Sequence, residues 1–224
     1  MQKPLILVTN DDGITAPGIR NLVNFMNEIG EVVVVAPNSP QSGKGHAITI
    51  NSTLTFEEIN LEGPQRDYSL SGTPVDCVKF ALDKVLTRKP DLVVSGINHG
   101  ANSSINVIYS GTMSAAVEAG VEGLQAIGFS LLYFAWDADF SQSKEFIQTL
   151  VKKVLENDYK NTLSKNIADA KKIIEEEDYK FDVMLNEWIT PGTMDMMRQI
   201  KKNKRLSQVP SVALTASDNP KDLI

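Results

Sequence analysis

Cysteine is almost missing from this 224-residue chain, which has one, Cys77, so no intramolecular disulfide can form. Cys77 lies in an apolar stretch of helical spacing and reads as a small buried residue rather than a nucleophile. Histidine is nearly as scarce, and with only His46 and His99 a histidine-based metal cluster is excluded. Long apolar runs are absent too. The opening MQKPLILVTNDDG has a few apolar residues before two carboxylates, too short for a signal-peptide core or a membrane span, so a cytoplasmic location is expected. Basic charge is in the minority, 22 Lys plus Arg against 28 Asp plus Glu, for a net charge of −6. Such a balance provides no general attraction to nucleic acid or to an anionic membrane, and any phosphate binding must be local.

What is present suffices for a core, with 42% hydrophobic and 22% charged residues in a chain of one large domain or two small ones. Residues 5–9, LILVT, form a continuous apolar run ended by Asn10, Asp11, Asp12 and Gly13, the pattern of a buried parallel strand feeding a polar turn. Pro17 then opens an amphipathic stretch in which Ile19, Leu22, Val23 and Met26 recur at helical spacing. Gly30 stops it before a second buried strand, Val32–Ala36. Residues 46–70 carry alternating, Thr-rich segments, HAITINSTLTF and RDYSLSG, which predict hairpin strands inserted into this scheme. A helix is expected over 73–86, a strand over 91–95 ending in GINHG, a small-residue helix after Ser110–Thr112, a strand over 126–130 and a helix near 141–155. Strand and helix alternating in this way imply a doubly wound, mostly parallel α/β sheet.

Ligands of open α/β sheets bind beyond the carboxyl ends of the strands, and NDDG, the loop holding Ser42 and GINHG all fall at such ends. Asp11 and Asp12 are adjacent, so their charges repel unless a cation or deep solvation neutralises them. Two carboxylates, the Ser42 hydroxyl and the Asn98 amide oxygen form an all-oxygen set suited to one divalent ion, Mg²⁺ or Mn²⁺, which acts as a Lewis acid on phosphoryl oxygen. A plain turn or helix cap would use the same residues as NDDG, and Ser42 and Asn98 are equally suited to local backbone hydrogen bonds. Ser110, Gly111 and Thr112 offer amides and hydroxyls at a helix start, a phosphate cradle or an ordinary N-cap. His99, beside Asn98, is a candidate proton shuttle.

The ordered segments LILVTNDDGITAPGI, VVAPNSPQSGKGHAITI, SGTPVDCVKFAL, PDLVVSGINHGAN and YSGTMSAAVEA closely resemble the stationary-phase survival protein SurE family over residues 4–157. The resemblance implies a Rossmann-like fold and a divalent-metal-dependent 5′/3′-nucleotidase, a homodimer or homotetramer, acting on nucleoside monophosphates. Carried over by position, the metal ligands fall on Asp11, Asp12, Ser42 and Asn98, with Asp11 and Asp12 catalytic. Phosphate contacts fall on Asn102, Ser110, Gly111 and Thr112.

After residue 157 the family's usual later segments are not found. Beyond a linker at 158–167, residues 168–224 resemble the middle of a response-regulator receiver domain, through FDVMLNEWITPG and VPSVALTASDNP. Glu187 stands at the phospho-accepting aspartate position and Thr215 at the signalling threonine. The receiver's first strand with its acidic pair and its final Lys strand have no counterpart. Two functional expectations follow: an active nucleotidase within 1–157, or an inactive regulatory or binding protein deprived of the family's C-terminal region.

Overall fold

The computed structural model describes residues 3–100, 102, 106–131 and 138–156, and the backbone of two later strands, 184–187 and 211–215. The strands are β1 (Leu5–Thr9), β2 (Glu31–Pro37), β3 (Phe56–Ile59), β4 (Arg66–Leu70), β5 (Leu92–His99), β6 (Ala126–Leu131), β7 (Met184–Glu187) and β8 (Ser211–Thr215). They form one eight-stranded sheet in the order β3-β4-β2-β1-β5-β6-β8-β7. From β4 to β6 every neighbouring pair is parallel, while β3 runs antiparallel to β4 and β8 antiparallel to β6.

Side chains alternate across the sheet with period two, and the two faces have separate cores. Ile6 and Val8 pack with α1 (Pro17–Asn27) and α5 (Lys144–Leu155). Leu5 and Leu7 pack on the opposite face with α2 (Pro74–Phe80) and α4 (Gly111–Val121). Burial on both faces explains why β1 and β2 read as unbroken apolar runs. At one point α1 lies so close to β5 that a Cβ on Gly18 would sit 2.0 Å from the Ile97 carbonyl oxygen. Only glycine fits there.

Two sequence expectations change in detail. Residues 46–55, read as strand, do not pair in the sheet, because helix ends and turns claim their polar groups. Thr73 Oγ1 donates to the Ala47 carbonyl at 2.6 Å, Thr49 Oγ1 donates to Asp76 Oδ2 at 2.6 Å, and Thr55 N donates to Ser71 Oγ at 2.8 Å. Thr-rich alternation here reflects bonding to α2, whose N-terminus is capped by Thr73 and Asp76 in a reciprocal capping box. The hairpin is therefore only β3 and β4, and it extends the main sheet through β4 and β2 instead of standing apart.

Cys77 is fully buried on α2, and burial pushes its thiol well above the ordinary range, as a structural cysteine requires. In the tail, β7 and β8 pair in parallel and continue the sheet beyond β6. Glu187 ends β7 and Thr215 ends β8. The expected linker at 158–167 and, apart from β7 and β8, the receiver-like segment 168–224 lie outside the described residues. Among the described residues, no helix is long and apolar enough to cross a membrane.

Candidate active site

From β1 the chain winds outward through β2 to β4, then returns to the other side of β1 as β5 and continues to β6. The winding direction thus reverses between β1 and β5, and it is beyond the carboxyl ends of strands at such a reversal that open α/β sheets bind their ligands. Asp11 and Asp12 follow β1 after one residue, Asn10, and Asn98 is the penultimate residue of β5. The NDDG turn closes on itself, with Asn10 Nδ2 donating to the Gly13 carbonyl at 2.9 Å and Gly13 at φ +103°. Nearby, Asn10 Oδ1 after β1 and Ser95 Oγ within β5 are buried without a hydrogen-bond partner among the described residues.

Asp11 is buried, at 4% exposure, against the start of α4. Thr112 Oγ1 donates to its Oδ1 at 2.5 Å, and the Gly111 and Thr112 amides also bond it. A carboxylate on a helix N-terminus is favoured by both the free amides and the helix dipole. Burial nonetheless dominates and raises the Asp11 pKa, with those hydrogen bonds opposing it. A Cβ on Gly111 would stand 2.4 Å from Asp11 Cβ, so this glycine makes room for the aspartate. Ser110 caps α4: its Oγ accepts from Met113 N at 3.1 Å. The first turn of α4 is therefore engaged with Asp11 and with its own cap, and among the described residues the Ser110 hydroxyl proton has no acceptor.

Asp12, partly buried, has its pKa pushed up to about 6. Burial is the main cause and the neighbouring Asp11 charge adds to it, while His99 pulls the other way. His99 is packed edge-on against Phe140, with ring centroids 5.0 Å apart. Asn98 Nδ2 donates to the carbonyls of His99 (3.0 Å) and Gly100 (2.9 Å) and, at 3.4 Å, to Asn102 Oδ1. These bonds fix the amide and leave Asn98 Oδ1 as an acceptor. Asn102 Nδ2 donates to Ser130 Oγ at 2.8 Å, linking this loop to β6.

Ser42 lies in an exposed turn whose neighbour is tied to the aspartates, since Gln41 N donates to the Asp11 carbonyl at 2.7 Å. Among the described residues no group of three or more His, Cys, Asp and Glu side chains is gathered to hold a metal. Two carboxylates together with hydroxyl and amide oxygens are a combination that hard cations prefer. Sequence reasoning did not anticipate that Thr112 holds Asp11, nor a contact from His46 to Glu118, a buried acid on α4. Glu118, set between small and apolar residues in MSAAVEAGVEG, was the available signal for the second.

The model of the Survival protein SurE family matches residues 6–183. The chain belongs to the SurE family. The matched span continues past residue 157. The family member 5′-nucleotidase SurE of Christiangramia forsetii is 66% identical over 158 residues, covering 70% of this chain and 61% of that protein. Its namesake from Flavobacterium psychrophilum is 61% identical over 181 residues, 80% of this chain and 70% of that protein. The chain therefore spans 61% to 70% of the length of these relatives. In three dimensions it is similar to the SurE protein from Aquifex aeolicus, at a TM-score of 0.69 and 25% identity over 99% of this chain and 97% of that one.

Proposed function

We propose that the chain is a divalent-metal-dependent phosphomonoesterase that hydrolyses nucleoside 5′-monophosphates, and 3′-monophosphates as well, to nucleoside and phosphate. The observation that carries this reading is the pair Asp11 and Asp12 at the switch point, one seated on a helix N-terminus and the other pushed up to about 6 by burial and its neighbour. Two adjacent carboxylates held in this way are costly without a cation. The names of the relatives, 5′-nucleotidase SurE, supply the substrate class.

Asp11, Asp12, Ser42 and Asn98 are the residues assigned to one Mg²⁺ or Mn²⁺, which when bound polarises phosphoryl oxygen and neutralises developing charge. Thr112 and the α4 amides orient Asp11 and keep its Oδ1 from swinging away. Asn98 presents Oδ1 because its Nδ2 is spent on carbonyls. Phosphate is assigned to the neighbouring wall, where Ser110 donates its hydroxyl proton and Asn102, Gly111 and Thr112 shape the rest. His99, pinned by Phe140 beside Asp12, is assigned proton exchange with the ester oxygen. We place the protein in the cytoplasm as a homodimer or homotetramer, without nucleic-acid or membrane partners.

Asp11→Asn removes the charge while keeping the shape, and phosphate release from AMP or GMP is expected to fall at least about a hundredfold. Unchanged turnover in that variant overturns the assignment.

A further inference from the structure

The segment carrying Ser42 is suspended between two groups of anchors. On one side Gln41 N is bonded to the Asp11 carbonyl. On the other, His46 Nε2 is 2.8 Å from Glu118 Oε2, Thr73 holds the Ala47 carbonyl, and Thr49 is bonded to Asp76 through both its amide and its hydroxyl. Between them Ser42, Gly43 and Lys44 are exposed, with Gly43 at φ +78°. Gly45, at φ +59°, lies so close to the Ile108 carbonyl oxygen that a Cβ there would meet it at 2.9 Å. Glu118 belongs to α4, the helix whose first turn carries Asp11.

We infer that His46 is a positioning residue: its contact with Glu118 latches the 42–45 segment to the helix that seats Asp11, and so sets the affinity of the site for metal and nucleotide. This rests on the proposed nucleotidase reading, in which Ser42 belongs to the site. The contact suits a latch because Glu118 does not depend on His46 alone. Lys79 Nζ holds the other carboxylate oxygen, Oε1, at 2.8 Å, so loss of the imidazole leaves the buried acid paired and α4 intact. The Glu118 side chain is 8% exposed and the His46 side chain 42%, which places the replaceable partner on the loop. Without His46, the nearest downstream anchor is the Ala47 carbonyl, after two glycines that offer no stiffness.

Two readouts on the full chain test this. The first is trypsin cleavage after Lys44, which needs the loop to peel away and requires no activity. In His46→Leu that cleavage is expected to quicken, and both the Mn²⁺ concentration for half-activation and the KM for AMP to rise, each about tenfold, as for loss of one charge-assisted hydrogen bond. kcat at saturating metal and nucleotide is expected to stay within about twofold, because no reacting group is removed. His46→Gln, which keeps an N–H donor at similar reach, is expected to restore both readouts. Cleavage and KM unchanged in His46→Leu overturn the latch, as does faster cleavage with unchanged KM, or a fall in kcat alone. If the wild type itself releases no phosphate, the nucleotidase reading fails, while the proteolysis comparison still decides whether His46 holds the loop.

Discussion

Replacing Asp12 with Asn is expected to make the metal-free protein more stable and the enzyme inactive. Burial and the Asp11 charge move the Asp12 carboxyl from 3.8 to about 6, so the folded protein holds a proton that the unfolded chain releases. For an acid whose folded-state pKa is raised, stability is highest below pH 3.8 and is lost as pH rises through about 6. Keeping Asp12 ionised at pH 8 would cost about 3 kcal/mol at 1.36 kcal/mol per pKa unit, and the partial solvent exposure reduces this to about 2 kcal/mol. Asn carries no charge to bury. In EDTA at pH 8, urea or thermal unfolding should therefore show Asp12→Asn about 2 kcal/mol more stable, or about 4–8 °C higher in Tm. That gain should shrink toward zero as pH approaches 4. Added Mn²⁺ should raise the Tm of the wild type and leave the variant unmoved. A variant less stable than wild type at pH 8 in EDTA, or one whose advantage does not change with pH, would refute the reasoning.

Thr112→Val should cost about 2 kcal/mol of stability, read by urea denaturation, and raise the metal requirement, since it removes the donor at 2.5 Å from Asp11. Gly18→Ala should destabilise the fold by about 3 kcal/mol, measured the same way, because its Cβ meets the Ile97 carbonyl and backbone cannot step aside cheaply. Removing metal with a chelator should abolish phosphate release without unfolding the chain, since the sheet and both cores are built from apolar burial, and far-UV circular dichroism should not change.

The alternation of apolar runs and amphipathic helices made the doubly wound sheet legible, because β1 and β2 are buried on both faces and admit nothing polar between their ends. The position of the paired aspartates was legible because NDDG breaks off an apolar run, which puts both carboxylates beyond the carboxyl end of β1. Residues 46–55 misled because period-two alternation looks alike whether the polar positions face water or bond to a helix cap, as Thr49 does with Asp76. The seat of Asp11 on α4 was hidden by its sequence separation of 101 residues from Thr112, a distance no local pattern spans. His46 was set aside with His99 as too few for a metal, and its partner Glu118 shows only when α4 is packed beside the loop.

The most direct measurement is phosphate release from a panel of nucleoside monophosphates by the full chain with Mn²⁺ or Mg²⁺, repeated in EDTA. Release that needs the metal and disappears in EDTA is the predicted result. Release undiminished by EDTA, or none from folded protein shown by calorimetry to bind Mn²⁺, would contradict it.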